Sequence, residues 1–448
     1  MMEGLLTDAE INLGRKSMET ALDAGASAAR VSLNKSLTDL AGSLDGELDK
    51  VTHSLDRSLG VSLFVDGRFG TFSTNRLSEE GLDSFIREAV ETVRMMAPDP
   101  CRFLPSSERT AKDALTGTEL DLLDTGAVDN EGRIGRILGA SIFRSLPQND
   151  GFKVVSEEIE YSENIYDQVL MDSSGLFARH SESSFDIGCQ ITIETPSGDR
   201  YSSYWWDSAP KKADLLPSIP VCPERALAKA VDQIGSKHRD GGRFNMVVDT
   251  ECASRLVSPL LSALSGYAIQ QKNSFLDGKA GEKVFPESLT ITDLPHVKGR
   301  SGSKLFDSEG VATKEWTIID KGVVKGYFIN TYIAAKMGIA PNVDDAVKPR
   351  LMPWGGCITR DDVLRKMGSG ILVTGFNGGN SNSATGDFSY GIEGFLFEDG
   401  KIGEPVREML ITGNLVSLWN NFAAAAEDSR PCFTKIIPTI AFKDVDFR

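Results

Sequence analysis

Residues 247–285, VVDTECASRLVSPLLSALSGYAIQQKNSFLDGKAGEKVF, combine the end of a strand, a helix and a polar loop, and they organise the C-terminal half of the chain. The apolar run at 244–248 predicts a short buried strand, and Asp249 or Thr250 is a good N-cap for the helix that follows. Apolar side chains then recur at the spacing of one buried helical face. They are Leu256, Val257, Leu260, Leu261 and Leu264.

Two residues limit this helix. Pro259 lies inside it and predicts a kink or a restart, because proline lacks a backbone N–H and clashes with the preceding turn. Gly266 marks its expected end, and the polar loop beyond it contains Gly278 and Gly281.

Composition excludes some classes of function. The chain has 448 residues, enough for two or three domains and a large buried core. Its formal net charge is −16 and its sequence pI is about 4.9. Because binding to phosphates needs clustered Lys and Arg, this charge balance argues against direct contact with nucleic acid.

The chain has no run of about 18 uninterrupted apolar residues, and its start lacks the apolar core of a signal peptide. We therefore expect neither a membrane span nor secretion. Six cysteines are widely scattered without a C-x-x-C pair, which is typical of reduced thiols in a long intracellular chain. The sequence predicts a cytoplasmic protein.

The first half of the chain predicts helices packed on strands. Thr7 or Asp8 is expected to cap a helix that runs to about 24, and Ser78 a helix that runs to about 96. Asp66-Gly67 between two alternating apolar runs predicts a hairpin, since both turn residues must adopt positive φ. A helix at 131–146 and long alternating strands follow.

A proline-containing segment at 209–223 predicts the main domain boundary. It divides the chain into an N-terminal domain, 1–220, with a linker and middle part at about 98–220, and a C-terminal domain, 221–448.

The C-terminal part is dense in strand patterns, with hairpin turns at Lys321-Gly322 and Asp399-Gly400. Short helices are expected at 331–337, 360–367 and 415–425. Helices grouped with antiparallel strands predict an α+β protein. Its N-terminal α+β domain would have an antiparallel or mixed sheet, and its C-terminal β domain would be mainly antiparallel with interspersed short helices.

Few residues could carry chemistry. The histidines have no second His or Cys three to five residues away, so no local metal-ligand pair exists and surface positions are expected. They are His53, His180, His238 and His296. The glycine-rich residues 377–387 could hold an anion, but they lack the lysine of a P-loop, and a mobile loop is the favoured interpretation.

Three carboxylates near glycines, Asp307, Glu309 and Glu393, would form a general acid and base only if folding brought them together. Turn-forming, solvated roles are expected instead. The residues alone thus predict no catalytic side chain and no metal site.

Several segments resemble the TldD/PmbA family, whose members have been described as modulators of DNA gyrase. The similarity is weakest between about 98 and 220. It rests on LGVSLFVDGRFGTFSTNRLSEEGL (59–82), NSFLDGKAGEKVFPESLTI (273–291), LFDSEGVATKEWTIIDKGVVKGYF (305–328), ATGDFSYGIEGFLFEDGKIGEPVREMLITGNL (384–415) and PCFTKIIPTIAF (431–442).

The resemblance implies a degenerate metal motif. The catalytic, TldD-like subunit of this family has a zinc-binding HExxxH helix, and the matching positions here are Ser262, Ala263 and Tyr267. Cys432 matches a further ligand near the C-terminus, but one thiol cannot hold a catalytic zinc, which normally needs three protein ligands. Without a glutamate at 263, no general base would activate a metal-bound water.

The geometry of the motif adds an expectation. Helical positions five residues apart point about 140° apart, so an HExxxH helix must be distorted near its end. Gly266 is placed to permit this, and we expect Ser262 and Tyr267 to face a closed, metal-free pocket.

The resemblance therefore implies a PmbA (TldE)-like, non-catalytic subunit that forms a heterodimer with a TldD-like zinc metalloprotease. Such complexes would cleave small unfolded peptides, in peptide maturation or antitoxin degradation, with zinc only in the partner. A homodimer in the absence of that partner is left open. The alternative is a peptidase in its own right, with an active site that the sequence does not locate.

Overall fold

The computed structural model describes residues 4–126, 129–145 and 151–448. In its first half, helices alternate with groups of long strands. The elements are α1 (Asp8–Asp23), β1 (Ala28–Leu44), β2 (Glu47–Val65), β3 (Arg68–Thr74), α2 (Glu79–Arg94), α3 (Thr116–Glu119), α4 (Asn130–Ala140), β4 (Lys153–Asp172), β5 (Phe177–Glu194), β6 (Arg200–Ala209), α5 (Lys212–Leu215) and α6 (Val221–Asp232).

The second half has shorter helices between strands. The elements are β7 (Gly242–Val248), α7 (Thr250–Ala263), α8 (Gly266–Gln270), β8 (Ile291–Asp293), β9 (Trp316–Asp320), β10 (Val323–Val324), α9 (Thr331–Met337), β11 (Pro349–Leu351), α10 (Arg360–Met367), β12 (Ser369–Ser381), β13 (Asp387–Glu398), β14 (Lys401–Asn414), α11 (Leu415–Asn420), β15 (Phe422–Ala425) and β16 (Ile440–Phe447). The α+β class predicted from sequence is confirmed.

The chain forms two compact units, each built from more than one segment. Unit 1 comprises Met1–Val231, His296–Thr313 and Thr331–Pro341, and unit 2 comprises Asp232–Pro295, Lys314–Asn330 and Asn342–Arg448. This division differs from the expected boundary at 220/221, because most of α6 belongs to unit 1. There Ala226 and Ala230 are fully buried, and the guanidinium of Arg225 lies 5.3 Å from the ring centre of Trp205.

Unit 1 contains a six-stranded sheet in the order β3-β2-β1-β4-β5-β6, with every neighbouring pair antiparallel. Strand alternation sends Val31 and Leu33 of β1 into a core that also contains apolar residues of α1 and α2. Ser32 and Asn34 take the opposite, polar face, where the Asn34 amide donates to the Ser32 hydroxyl.

Local signals placed the ends of these elements correctly. Thr7 caps α1 and Ser78 caps α2, and each side chain accepts a hydrogen bond from a backbone N–H of the first turn. Asp66 and Gly67 form the predicted hairpin turn with φ values of 48° and 70°. The predicted helix at 131–146 is observed as α4 but ends at Ala140, since 141–145 are not helical; residue 146 lies outside the described residues.

Unit 2 contains a second six-stranded sheet, in the order β14-β13-β12-β7-β16-β15, and a smaller sheet, β10-β9-β8-β11. Only the β7–β12 pair of the described strands is parallel, so the mainly antiparallel prediction is confirmed. The α7 helix buries its apolar face in the same core as residues of both sheets.

Two predictions about this unit are wrong. The helix expected at 415–425 ends at Asn420, and 422–425 forms β15, because pairing with β16 overrides the helix propensity of alanine. The mobile loop expected at 377–387 is too long, since β12 pairs with β13 as far as Ser381 opposite Phe388 and only 382–386 connect the two strands.

Candidate functional site

The site is built on α7, which follows the buried strand β7. Asp249 caps the helix by accepting from the Glu251 N–H at 3.0 Å, and its other carboxylate oxygen accepts from Arg360 at 2.9 Å. The helix continues past Pro259 without a restart. Its apolar side is fully packed. The buried residues are Ala253, Leu256, Val257, Leu260, Leu261 and Ala263.

The helix breaks immediately after the first two motif positions. Leu264 is its C-cap, with φ −90° and ψ 0°, and Ser265 is extended, with φ −61° and ψ 131°. Gly266 then opens α8. The expected distortion is therefore present, but Gly266 does not adopt positive φ, so the turn is made by Leu264 and Ser265.

Backbone N–H and C=O groups that lack a helical partner at the break form hydrogen bonds with two other segments. Phe328 donates its N–H to the Leu264 carbonyl at 2.9 Å and accepts from the Gly266 N–H at 2.8 Å. The buried Ser274 hydroxyl donates to the Ala263 carbonyl at 2.6 Å and accepts from the Leu276 N–H at 3.0 Å. Ser274, in the segment 273–275, thus satisfies a backbone carbonyl at the C-terminal end of α7.

The three motif positions point in different directions. Ala263 is 1% exposed and faces the core, whereas Ser262 is exposed and Tyr267 is 45% exposed. The predicted closed pocket is therefore wrong. The reason is helical geometry, because the side chain that follows Ser262 is the one buried, which turns the serine outward.

Residues that are distant in sequence, and that the sequence did not predict, also contribute to the site. The buried Asn330 donates from Nδ2 to the Tyr267 hydroxyl oxygen at 3.5 Å and to Asp344 Oδ1 at 3.0 Å. No local signal links Asn330 to Tyr267, since 63 residues separate them.

This set of side chains does not fit a catalytic zinc. Serine and tyrosine supply neutral hydroxyls, alanine supplies no donor, and zinc sites use thiolates, imidazoles and carboxylates. Within the described ranges, no group of three or more His, Cys, Asp or Glu residues could hold a metal ion. The site offers hydrogen-bond donors and acceptors on an exposed surface.

Cys432 is buried in a segment that lies along α7. Arg430 pairs with Glu251 at 3.5 Å, and the Lys435 ammonium donates to the Ser258 hydroxyl at 3.2 Å. Ser258 and Ser262 are four residues apart and share one side of the helix. The segment 430–435 therefore borders the same helical face as the degenerate motif.

The histidines mostly occupy the expected positions. His53 is exposed and contacts Asp39 at 2.8 Å, and His238 contacts the Glu408 carbonyl at 3.0 Å. His180 is the exception. It is buried, because the rings of Tyr166 and Phe306 lie 6.2 and 6.4 Å from its own, so the predicted surface position is wrong.

Of the three carboxylates, Asp307 has the predicted turn-forming role, whereas Glu309 contacts the start of a helix and Glu393 lies in a strand. Asp307 Oδ1 accepts from the N–H groups of Glu309 and Val311, both at 2.9 Å. Glu309 accepts from the Thr331 N–H at 2.8 Å, at the start of α9. Glu393 lies in β13, opposite Gly375.

Comparison with known proteins identifies the family. Three family models match the chain in sequence order: PmbA/TldA metallopeptidase domain 1 at 29–93, the central domain at 124–234 and the C-terminal domain at 241–448. The chain belongs to the PmbA/TldD family of metallopeptidase-like proteins.

Within that family the chain is similar to PmbA, or TldE. The metalloprotease PmbA homolog of Haemophilus influenzae is 28% identical over 420 residues, 92% of this chain and 90% of the relative. Metalloprotease PmbA of Escherichia coli O157:H7 is 27% identical over 432 residues, 94% and 93% of the two chains.

Solved structures extend the likeness to the fold. A Bacteroides thetaiotaomicron protein described as a modulator of DNA gyrase has a TM-score of 0.92 and 37% identity, over 99% of both chains. TldE from Thermococcus kodakarensis has a TM-score of 0.81 over 98% of this chain and 99% of its own, at 20% identity, and shares the fold. No helix in the described part of the chain has the length and apolarity needed to cross a bilayer.

Proposed function

We propose that the chain is a non-catalytic, PmbA/TldE-like subunit that assembles with a TldD-like zinc metallopeptidase. The proposal rests on the three side chains at the motif positions, Ser262, Ala263 and Tyr267. They lie where the helix is broken, and none of them is a zinc ligand of the usual kind. The expected helix break is present, whereas the motif positions supply none of the usual zinc ligands. This combination favours a subunit that has the fold of the family but binds no zinc, so that its partner supplies the catalytic metal.

The substrates of the assembled enzyme would be small unfolded peptides. The resemblance to the family adds three roles to this proposal: peptide maturation, antitoxin degradation and an effect on DNA gyrase. It also adds a cytoplasmic location.

Elemental analysis of the purified chain tests the proposal. We expect much less than one zinc per chain after dialysis against a chelator, since the motif offers no thiolate, imidazole or carboxylate. A TldD-like partner purified in the same buffers is the positive control. One zinc per chain that survives the chelator would contradict the proposal.

A further inference from the structure

One side of α7 carries a row of polar side chains. Glu251, Arg255, Ser258 and Ser262 follow each other at intervals of four, three and four residues, so the helical period places them on one face. None of the four is buried, whereas the apolar residues of the helix are packed in the core of unit 2. The row is therefore the accessible side of α7.

The segment 430–435 brings two cations to this row. Arg430 pairs with Glu251 at 3.5 Å, so its charge is balanced. The Lys435 ammonium instead donates to the neutral Ser258 hydroxyl at 3.2 Å. Within the described residues, no Asp or Glu pairs with this ammonium, so it keeps an unbalanced positive charge and further N–H groups that can donate.

Arg255 is a second unbalanced cation, one helical turn before Ser258. Its guanidinium donates to the Gly379 carbonyl at 2.7 Å and lies 5.0 Å from the centre of the Tyr390 ring. A carbonyl and an aromatic ring carry no net charge, so these contacts orient the guanidinium without neutralising it. In the part of the chain that the structure describes, no carboxylate pairs with Arg255 either.

The charge of this face is opposite to that of the whole chain. Its three cations and one carboxylate leave a net charge of +2, whereas the chain has a net charge of −16. The Ser258 hydroxyl accepts from Lys435 and can still donate its own hydrogen. Arg255, Ser258 and Lys435 thus offer three neighbouring donors, two of them charged, to an anionic acceptor.

We propose that Arg255, Ser258 and Lys435 bind a carboxylate group of a peptide, which is either its C-terminal carboxylate or the side chain of an Asp or Glu residue. Charge-assisted hydrogen bonds from a guanidinium and an ammonium are the strong contacts that a carboxylate makes in proteins. The proposal rests on the proposed function only for the choice of a peptide as the ligand. This subunit would then select peptides by charge without taking part in the chemistry.

Fluorescence anisotropy with three unstructured peptides tests the ligand. All three share one uncharged sequence and an uncharged dye at the N-terminus. The first has a free C-terminal carboxylate, the second a C-terminal amide, and the third the amide and one internal Glu. We expect at least one of the two carboxylate peptides to bind the purified chain about fivefold or more tightly than the peptide without a carboxylate. The peptide that binds identifies the source of the carboxylate.

Charge removal tests the residues. Arg255→Gln and Lys435→Gln should each weaken binding of the carboxylate peptide about two- to fivefold, the range expected for a partly exposed ion pair. Lys443→Gln is the matched control, since it removes the same charge from an exposed position on β16 and should bind like wild type. Circular dichroism melts confirm beforehand that the variants are folded.

Two results would overturn the proposal. One is equal affinity for all three peptides, which includes no binding of any of them at millimolar concentration. The other is affinity of Arg255→Gln and Lys435→Gln for the carboxylate peptide that equals that of Lys443→Gln. Every measurement uses the chain alone, without zinc or a partner. A chain that holds zinc or fails to assemble would contradict the proposed function and leave these binding results unchanged.

Discussion

At the scale of single residues, the Ser274 hydroxyl explains why the degenerate motif keeps its shape. It is buried and both donates to the Ala263 carbonyl and accepts from the Leu276 N–H. We predict that Ser274→Ala lowers the free energy of unfolding by about 1–3 kcal/mol, since a buried carbonyl loses its donor. Urea denaturation measures this.

The matched control for that substitution is Ser262→Ala. The Ser262 side chain is exposed, so removal of its hydroxyl should change the free energy of unfolding by no more than about 0.5 kcal/mol. Equal losses in the two variants would contradict the role assigned to Ser274.

The motif residues themselves should be dispensable for chemistry. We predict that Ser262→Ala or Tyr267→Phe leaves the peptidase activity of a complex reconstituted with a TldD-like partner nearly unchanged, because neither side chain is a zinc ligand of the usual kind. Activity is compared after size exclusion has shown assembly. If either variant assembles but no longer cleaves, the residue is catalytic.

At the scale of elements, the start of α1 gives a pH-dependent test. Burial opposes ionisation of Glu10, but hydrogen bonds from the Thr7 backbone and hydroxyl and from Lys35 outweigh it, so the pKa of Glu10 is lowered from 4.5. A lowered carboxyl pKa stabilises the fold above the unfolded-state pKa, and the contribution is lost as pH falls through the folded-state pKa.

We therefore predict that Glu10→Gln is less stable than wild type at pH 7 and that the difference shrinks as the pH falls below about 4.5. Glu19→Gln, an exposed change on the same helix, is the control and should show no such trend. A difference that stays constant between pH 7 and pH 3 would show that charge is not the cause.

Elements whose signals are local could be predicted from the sequence. Thr7, Ser78 and Asp249 lie where caps were expected, because a cap is satisfied within one helical turn. Elements that depend on pairing with residues distant in sequence could not be predicted. The alanines at 423–425 form a strand because β16 lies beside them, and the glycines at 378–379 are held by β13.

At the scale of the whole molecule, the candidate site could be predicted only in part. The resemblance located Ser262, Ala263 and Tyr267, and helix geometry predicted the break. The contacts of Asn330 with Tyr267 and Asp344, and the exposure of Tyr267, depend on residues that are distant in sequence, which spacing does not reveal.

Unit 1 also depends on a segment from the second half of the chain. Phe306 clusters with Leu170, Leu176 and Ala178, and Gly310 accepts from the Ala111 N–H at 2.9 Å. We predict that a fragment of 1–231 exposes this apolar cluster and aggregates or unfolds without cooperativity, whereas a fragment of 1–341 retains the segment. Circular dichroism melts compare the two. A cooperative, soluble 1–231 fragment would contradict the assignment of 296–313 to unit 1.

The central claim is that this chain supports peptide hydrolysis without performing it. The most direct measurement is cleavage of an unstructured peptide by the purified chain alone, with zinc added, beside the same chain mixed with a TldD-like partner. The account predicts no cleavage above the buffer background by the chain alone and chelator-sensitive cleavage by the mixture. Chelator-sensitive cleavage by the chain alone, at a rate that co-purifies with it through successive columns, would contradict the account.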